Sequence, residues 1–276
     1  MPTGAITEYM DVAQVTLYVF WFFFAGLVYY LHRENKREGY PLESDRSPYI
    51  TVQGFPPAPG PKQFLTADGG AIIIANGNPD TREVHAKPAN KFPGSPLEPT
   101  GNPMIDGVGP ASWAQRADEP DVTMDGTPRI VPMRVTSHGF GVPSRDPDPR
   151  GMPVYAADGK VAGTVRDIWV DRSEAMPRYL EVEVNSDIAS RTVLVPMFLA
   201  KVARAAKAKA GAGLGERMID GRPFEVRVVS VMSHHFADAP VIRNAESVTR
   251  LEEDRIMAYF GGGHFYASKE RREAFL

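Results

Sequence analysis

The hydrophobic pattern changes most abruptly at a single residue. From Val12 to Leu31 the chain reads VAQVTLYVFWFFFAGLVYYL without a charged side chain, and from His32 it continues HRENKREGY. At 1.5 Å per residue, a run of about 20 apolar residues spans roughly 30 Å, the hydrocarbon thickness of a bilayer. Tyr29 and Tyr30 stand near one end, where aromatic rings rest at headgroup level. A cleaved signal peptide would have a basic start, a shorter apolar run and a small-residue cleavage site, and the run fits none of these. The pattern predicts a transmembrane helix over residues 12–31 behind a tail over 1–11. Glu8 and Asp11 precede the run, while His32, Arg33, Lys36 and Arg37 follow it. The positive-inside rule therefore places the tail outside and the rest of the chain in the cytoplasm.

From Gly151 the period shortens to that of strands. PVYAADGKVAGTVRDIWVD reads as two strands joined at Asp158-Gly159, a good tight-turn pair. YLEVEV alternates, with Leu180, Val182 and Val184 on one face and Glu181 and Glu183 on the other. RTVLVPMFLAKV and FEVRVVSVM continue the series, so residues 151–240 predict a small antiparallel β-barrel or sandwich. In 241–276, Ser247 is the expected N-cap of a helix from about Val248 to Tyr259, with Glu252, Glu253 and Asp254 in its early turns.

Between these regions, residues 32–150 are dense in breakers. Most of the 25 prolines lie between Pro41 and Pro149, and proline is excluded from helix interiors and central strands. Two short runs still read as strands: QFLTADGGAIIIAN, with a DGG turn, and RIVPMRV. A disordered linker has no use for Phe55, Phe64, Phe92, Trp113 and Phe140. The segment is expected to be an extended chain, ordered because it lies on partner subunits.

Composition narrows the chemistry. The net charge of −3 gives no electrostatic footprint for nucleic acid. The absence of cysteine excludes disulfides, thiolate metal sites and thiol catalysis. GAGLGE, from Gly211, follows no strand and has the wrong spacing for a nucleotide loop. His234 and His235, if on a strand, would point to opposite faces and could not share a metal. Neither a G-x-S-x-G nor an H-E-x-x-H motif is present. One stretch stands out. DIWVDRSEAMPRYLEVEV places Asp167, Asp171, Glu174 and Arg178 at a strand-to-strand connection, read either as a solvated turn or as a carboxylate cluster that handles protons.

Seven stretches, in order over nearly the whole chain, carry a resemblance: FWFFFAGLVYYL, REGYPLE, PTGNPMIDGVGPASW, DPRGMPV, AGTVRDIWVDRSE, RYLEVEV and LEEDRIMAYFGGGHFYA. The sequence resembles the H subunit of the photosynthetic reaction centre of purple bacteria, and its strand-rich part resembles the PRC-barrel module. The resemblance implies a non-catalytic subunit, anchored in the bacterial inner membrane by one helix with its N-terminus periplasmic. It would cap the cytoplasmic face of the L and M subunits. Those partners would hold bacteriochlorophyll, bacteriopheophytin, quinones and non-haem iron, with no cofactor or metal bound by this chain. A cytochrome subunit, light-harvesting antenna and membrane lipids are further implied neighbours. The implied roles are assembly, shielding of the quinone region and proton delivery to the secondary quinone. Carried over by position, Glu174 matches the relay glutamate, Asp171 its acidic neighbour, Arg178 the arginine of the cluster and Glu253 the acid from the C-terminal helix. Some members place a histidine pair at the proton entrance, before a KIKPM-like segment. Here that region reads VTMDGTPRIVPM, which leaves Asp125 as the nearest titratable substitute. Ala203 to Gly221 reads as an insertion between barrel strands. The reading from another class is a membrane-tethered PRC-barrel adaptor with no role in electron transfer.

Overall fold

The computed structural model describes residues 4–40, 54–67, 69–74, 80–92, 95–136, 139–184, 191–205, 218–219 and 222–272. They form two compact units. One comprises 1–81 with 90–95, and the other 82–89 with 96–276.

In the first unit, α1 (Val12–Arg37) begins at Asp11, whose carboxylate accepts from the Gln14 N–H at 2.7 Å. The helix is long and apolar enough to cross a membrane. Its large side chains face outward, Phe22 at 86% and Phe23 at 61% exposure. It runs six residues beyond the predicted span because its polar end has partners. Glu34 pairs with Arg37 at 3.0 Å and with Lys62 at 3.4 Å. Lys36 is buried, donating to the carbonyls of Gly54 (2.9 Å) and Pro56 (2.5 Å). The DGG signal is realised as an antiparallel hairpin of β1 (Lys62–Leu65) and β2 (Ala71–Ile74), with Gly69 at a positive φ of 82°.

The second unit opens with an antiparallel pair, β3 (Ala86–Pro88) and β4 (Leu97–Pro99). A single turn of helix follows, α2 (Pro103–Asp106), with proline at its tolerated first position, Asn102 as cap and Gly107 left-handed behind it. β5 (Ile130–Pro132) then joins the main sheet through β7. The sheet continues with β6 (Pro153–Tyr155), β7 (Val161–Asp171), β8 (Met176–Val184), β9 (Arg191–Pro196), β10 (Ala200–Arg204), β11 (Met218–Ile219) and β12 (Arg222–Val228). Its order is β10-β12-β6-β7-β8-β9, with β11 beside β12. Only the β12–β6 pair is parallel; the other pairings are antiparallel. The path's two ends, β9 and β10, are consecutive and separated by a 3-10 turn, Met197–Leu199, so the sheet curls on itself. Bulges in the β7–β8 pairing supply the bend. Inside lie Val154, Val165, Leu180, Val182, Val193 and Val226, all at 1% exposure or less. The fold class is as read: one apolar helix, a mainly β unit and a C-terminal helix.

Four expectations need correction. First, the proline-rich stretch does not lie wholly on other chains. Met104, Val108, Ala111, Ile130 and Val131 are buried within the second unit, and Phe140 packs against its core. Trp113 is held between the guanidiniums of Arg82 and Arg255, 3.8 and 4.4 Å from its ring centre. Second, the two glutamates that alternate along β8 do not share one environment: Glu183 is exposed and Glu181 is buried. Glu181 is 3% exposed and takes hydrogen bonds from Trp169 Nε1 (2.8 Å) and Arg134 Nη1 (2.5 Å), because the segment after β5 covers that face.

Third, the C-terminal helix α3 (Arg250–Tyr266) is capped by Thr249, not Ser247. Thr249 Oγ1 accepts from the Glu252 N–H and the Glu252 carboxylate accepts from the Thr249 N–H, a closed capping box. The helix also continues through Gly261, Gly262 and Gly263, where propensity alone would stop it. Fourth, His234 and His235 lie on a 3-10 helix, Ser233–Ala237, with ring centres 4.0 Å apart, and not on a strand. His235 Nδ1 accepts from the Met232 N–H at 3.1 Å, and burial, then the neighbouring His234, hold its pKa below the ordinary histidine value. Of the 203–221 stretch, residues 206–217 and 220–221, including GAGLGE, lie outside the described residues.

The glycines of α3 separate propensity from packing. A Cβ on Gly263 would meet the Ser230 carbonyl oxygen at 2.5 Å, whereas one on Gly261 would meet nothing within 4 Å. Gly261→Ala is expected to stabilise the chain by up to about 1 kcal/mol through helix propensity. Gly263→Ala is expected to destabilise it by about 1–3 kcal/mol through overpacking. Urea midpoints of the two variants check both signs.

Candidate functional site

The sequence DRSEAM forms the connection between β7 and β8. Asp171 ends β7 with its side chain fully buried, and its Oδ1 accepts from the backbone N–H groups of Ser173 (2.9 Å) and Glu174 (3.0 Å). Those bonds fold the turn back on Asp171. They also carry Ala175 into the left-handed region, φ +51°, an uncommon place for a residue with a Cβ. Glu174 is thereby presented at the turn's outer side, with its side chain half exposed.

The opposing wall comes from the proline-rich segment. Val122 and Pro128 bridge a tight turn closed by Thr123 and Thr127, with Gly126 at φ +74°. Arg172 clamps this turn to the sheet, donating to Thr127 Oγ1 at 2.6 Å and to the Pro128 carbonyl. The Arg172 N–H donates to the Arg129 carbonyl at 3.0 Å. Arg129 is thus set directly over the β7–β8 turn. Its Nε and Nη2 reach the two Asp171 oxygens at 3.0 and 2.8 Å. The same Nη2 lies 2.6 Å from Glu174 Oε1, and Nη1 lies 3.3 Å from Asp121 Oδ2. One guanidinium therefore serves three carboxylates.

Of the expected residues, the structure gathers Asp171, Glu174, Arg178 and Glu253 around Arg129. Arg178 Nη1 stands 4.0 Å from Glu174 Oε2, a looser contact than that of Arg129. Glu253 reaches in from α3, accepting from the Tyr179 hydroxyl at 2.8 Å and lying within the fields of Arg178, Asp121 and Arg129. Asp125 sits apart, exposed in the 122–128 turn without a side-chain hydrogen bond or ion pair to this group. Arg129, Asp121 and Tyr179 were not singled out from the sequence. The available signal was the pair Asp121 and Arg129 flanking DVTMDGTPR, whose DGT turn brings the two ends together.

The electrostatics divide the cluster. Burial alone would push the Asp171 carboxyl up, but Arg129 and the two backbone N–H groups outweigh it and hold it below the usual aspartate range. Burial pushes Glu253 above the usual glutamate range, opposed only in part by Tyr179 and Arg178. The cluster thus holds two acids shifted in opposite directions. Burial, then the Glu253 charge, raise Tyr179 far above its ordinary value, so its phenol stays a donor. Among the described residues, no group of three or more His, Asp or Glu side chains is arranged to hold a metal ion.

Two features frame the cluster. Val122 (54% exposed), Met124 (106%) and Met176 (43%) present apolar surface on the same two turns. A cavity of about 430 Å³, lined by Thr127, Pro128, Val131, Val135, Arg172 and Glu246 among others, opens beside the Arg172 clamp.

Two family models match the chain. That of the photosynthetic reaction centre, H-chain N-terminal region, covers residues 4–135, and that of the PRC-barrel domain covers residues 144–211.

Glu253 yields a pH test. Because its folded pKa is raised, its burial opposes folding only where it is ionised. The stability associated with its neutral form is present below the usual glutamate pKa of about 4.3 and is lost as pH rises through the folded value. Glu253→Gln keeps an acceptor for Tyr179 and removes the charge. The variant is expected to unfold at a higher temperature than the parent at pH 7, with the difference vanishing near pH 4. Thermal midpoints measured across that range check the sign.

Proposed function

The chain belongs to the family of photosynthetic reaction-centre H chains and so works with the other subunits of a reaction centre; from that premise we propose that it caps the cytoplasmic face of the L and M subunits and passes protons inward through Glu174. Assembly support and shielding of the quinone region belong to the same reading. The tethered-adaptor alternative is set aside, because the H-chain match covers the membrane helix and proline-rich segment, which an adaptor would not need in that form.

The observation that carries the proposal is the contrast within the Arg129 cluster. A group of fixed charges surrounds one half-exposed carboxylate on a turn. Reduction of a bound quinone to quinol takes up two protons, and that chemistry is supplied by the partner subunits. This chain's part is to hold and release a proton at the Glu174 carboxylate. Arg129 and Arg178 stand on either side of that carboxylate, at 2.6 and 4.0 Å. Glu253 and Tyr179 form a second, drier pair behind it. The cavity beside Arg172 offers polar walls and room for water on the way in. The exposed Val122, Met124 and Met176 supply apolar surface for a partner to cover, which would keep bulk water from the relay.

Orientation follows the charge asymmetry of α1, with the β unit cytoplasmic and the N-terminus periplasmic. Pigments, quinones and non-haem iron are assigned to the partner subunits in this reading.

In the intact complex, Glu174→Gln keeps the side chain's shape and removes its exchangeable charge. The second, proton-coupled electron transfer to the secondary quinone is expected to slow tenfold or more, which is about 1.4 kcal/mol of barrier. The first transfer and the pigment content should change little. Flash kinetics with an unaltered second transfer would reduce Glu174 to an ordinary turn carboxylate.

A further inference from the structure

We propose that Arg129 is a positioning residue for Glu174, anchored by the buried Asp171, and that Asp171 itself carries no proton. This rests on reading Glu174 as the relay. It departs from the reading that treats Asp171 and Glu174 as equivalent members of the path.

The geometry distinguishes the two acids. Asp171 is fully buried, and its Oδ1 accepts three hydrogen bonds, from Arg129 Nε and from the N–H groups of Ser173 and Glu174. Its Oδ2 accepts none and is held by the charge of Arg129 Nη2 at 2.8 Å. The three bonds fix the carboxylate in its turn, and protonating it would give up its ion pair with Arg129. Glu174 has the opposite character. It is half exposed, its Oε1 shares Arg129 Nη2 with Asp171, and its Oε2 has only the 4.0 Å contact with Arg178. When Glu174 takes a proton and lets go, Arg129 stays parked on Asp171. When Glu174 gives the proton up, the guanidinium is still in place to pair with the carboxylate. A fixed cation and a movable acid are what repeated transfer at one position requires.

The charged groups around this bracket come from every neighbouring element. Asp121 and Arg129 belong to the 121–129 turn, Asp171, Arg172 and Glu174 to the β7–β8 connection, Arg178 and Tyr179 to β8, and Glu253 to α3. Losing Arg129 leaves two carboxylates beside Glu174 with one cation at 4.0 Å. The movable acid then has no fixed guanidinium to return to, and the second electron transfer should slow.

The test uses the assembled reaction centre and flash kinetics of the second electron transfer at pH 7. Arg129→Gln is expected to slow the transfer at least threefold. Arg129→Lys keeps the charge and should restore most of the parental rate. Asp171→Asn is an independent arm that needs no Arg129 variant to fold. It removes the anchor of Arg129 and should cost about as much as Arg129→Gln, against tenfold or more for Glu174→Gln. A merely structural role for Arg129 would lower the yield of complex without slowing the transfer in the complex that forms, and that result overturns the proposal. So would a rate loss in Asp171→Asn equal to that in Glu174→Gln. If Glu174→Gln itself has no effect, the relay reading falls first and the bracket with it.

Discussion

Three carboxylates buried in the β7–β8 ribbon set the terms for the rest of the second unit. Asp167, Asp171 and Glu181 are each 3% exposed or less. An unpaired buried charge costs several kcal/mol, so each must have a cation or donors held firmly in place. The ribbon does not supply enough of these itself. Arg129 pairs with Asp171, and Arg134 reaches both Asp167 (3.1 Å) and Glu181 (2.5 Å). Both arginines flank β5, the short strand that the proline-rich segment adds to the sheet. Strand pairing fixes the register of β5, and the two ion-pair groups hold its ends. Arg134 extends the fastening further, donating through Nη2 to the Ala245 carbonyl at 2.6 Å and so tying the approach to α3 to the same point.

This constraint explains how a proline-dense chain is ordered without long elements. Proline removes donors and blocks regular repeats, so the segment relies on side chains and on turns with specific residues. Asn102 caps α2, Gly107 ends it, and Asp118 binds both Arg243 and Thr249 Oγ1 in front of α3. Asp254 receives the Ala114 N–H and Arg116. Most of these contacts join residues more than a hundred positions apart. They act as fasteners between the segment and the barrel, and the apolar Met104, Val108 and Ala111 fill the space beneath them.

The range of those contacts decides what the sequence made legible. The membrane run, the hairpin at DGG and the strand series from Pro153 are written in local periodicity, and all appear in the fold. The helix cap was also local: Thr249 followed three residues later by Glu252 is a capping-box signature, which Ser247 lacks. What periodicity could not give was burial on the second face. Glu181 alternates outward along β8, yet it is covered because β5 and its arginines arrive from 47 residues upstream. Glycine misled for the same reason. Gly261 to Gly263 read locally as a helix end, but Gly262 and Gly263 admit Ala111, the Ser230 carbonyl and the Val231 side chain. At the site, Asp171, Glu174 and Arg178 lie within eight residues across the β7–β8 turn and the start of β8, and were readable together. Arg129 was not, because only the folded 121–129 turn places it above them.

The two halves of the proline-rich segment differ in how their apolar side chains are satisfied. In the second unit, Trp113 is stacked between two arginines and Phe140 packs on the core. In the first unit, Phe55 (84%), Leu65 (84%), Ile72 (57%) and Ile73 (51%) remain exposed. Successive strand residues point to opposite sides, so Phe64 with Ile72 and Leu65 with Ile73 leave apolar surface on both faces of the hairpin. Lys62 at its base is tied to Glu34 and to the Tyr30 hydroxyl (3.4 Å), which sets the hairpin beside the polar end of the apolar helix. A lone soluble chain gains nothing from such a surface and risks association through it. A subunit that works only within a larger membrane assembly does gain, since burial of those side chains can then contribute at about 25 cal/mol per Å². The same chain thus spends part of its apolar content on its own core and keeps part for its partners, with the division falling inside the proline-rich segment.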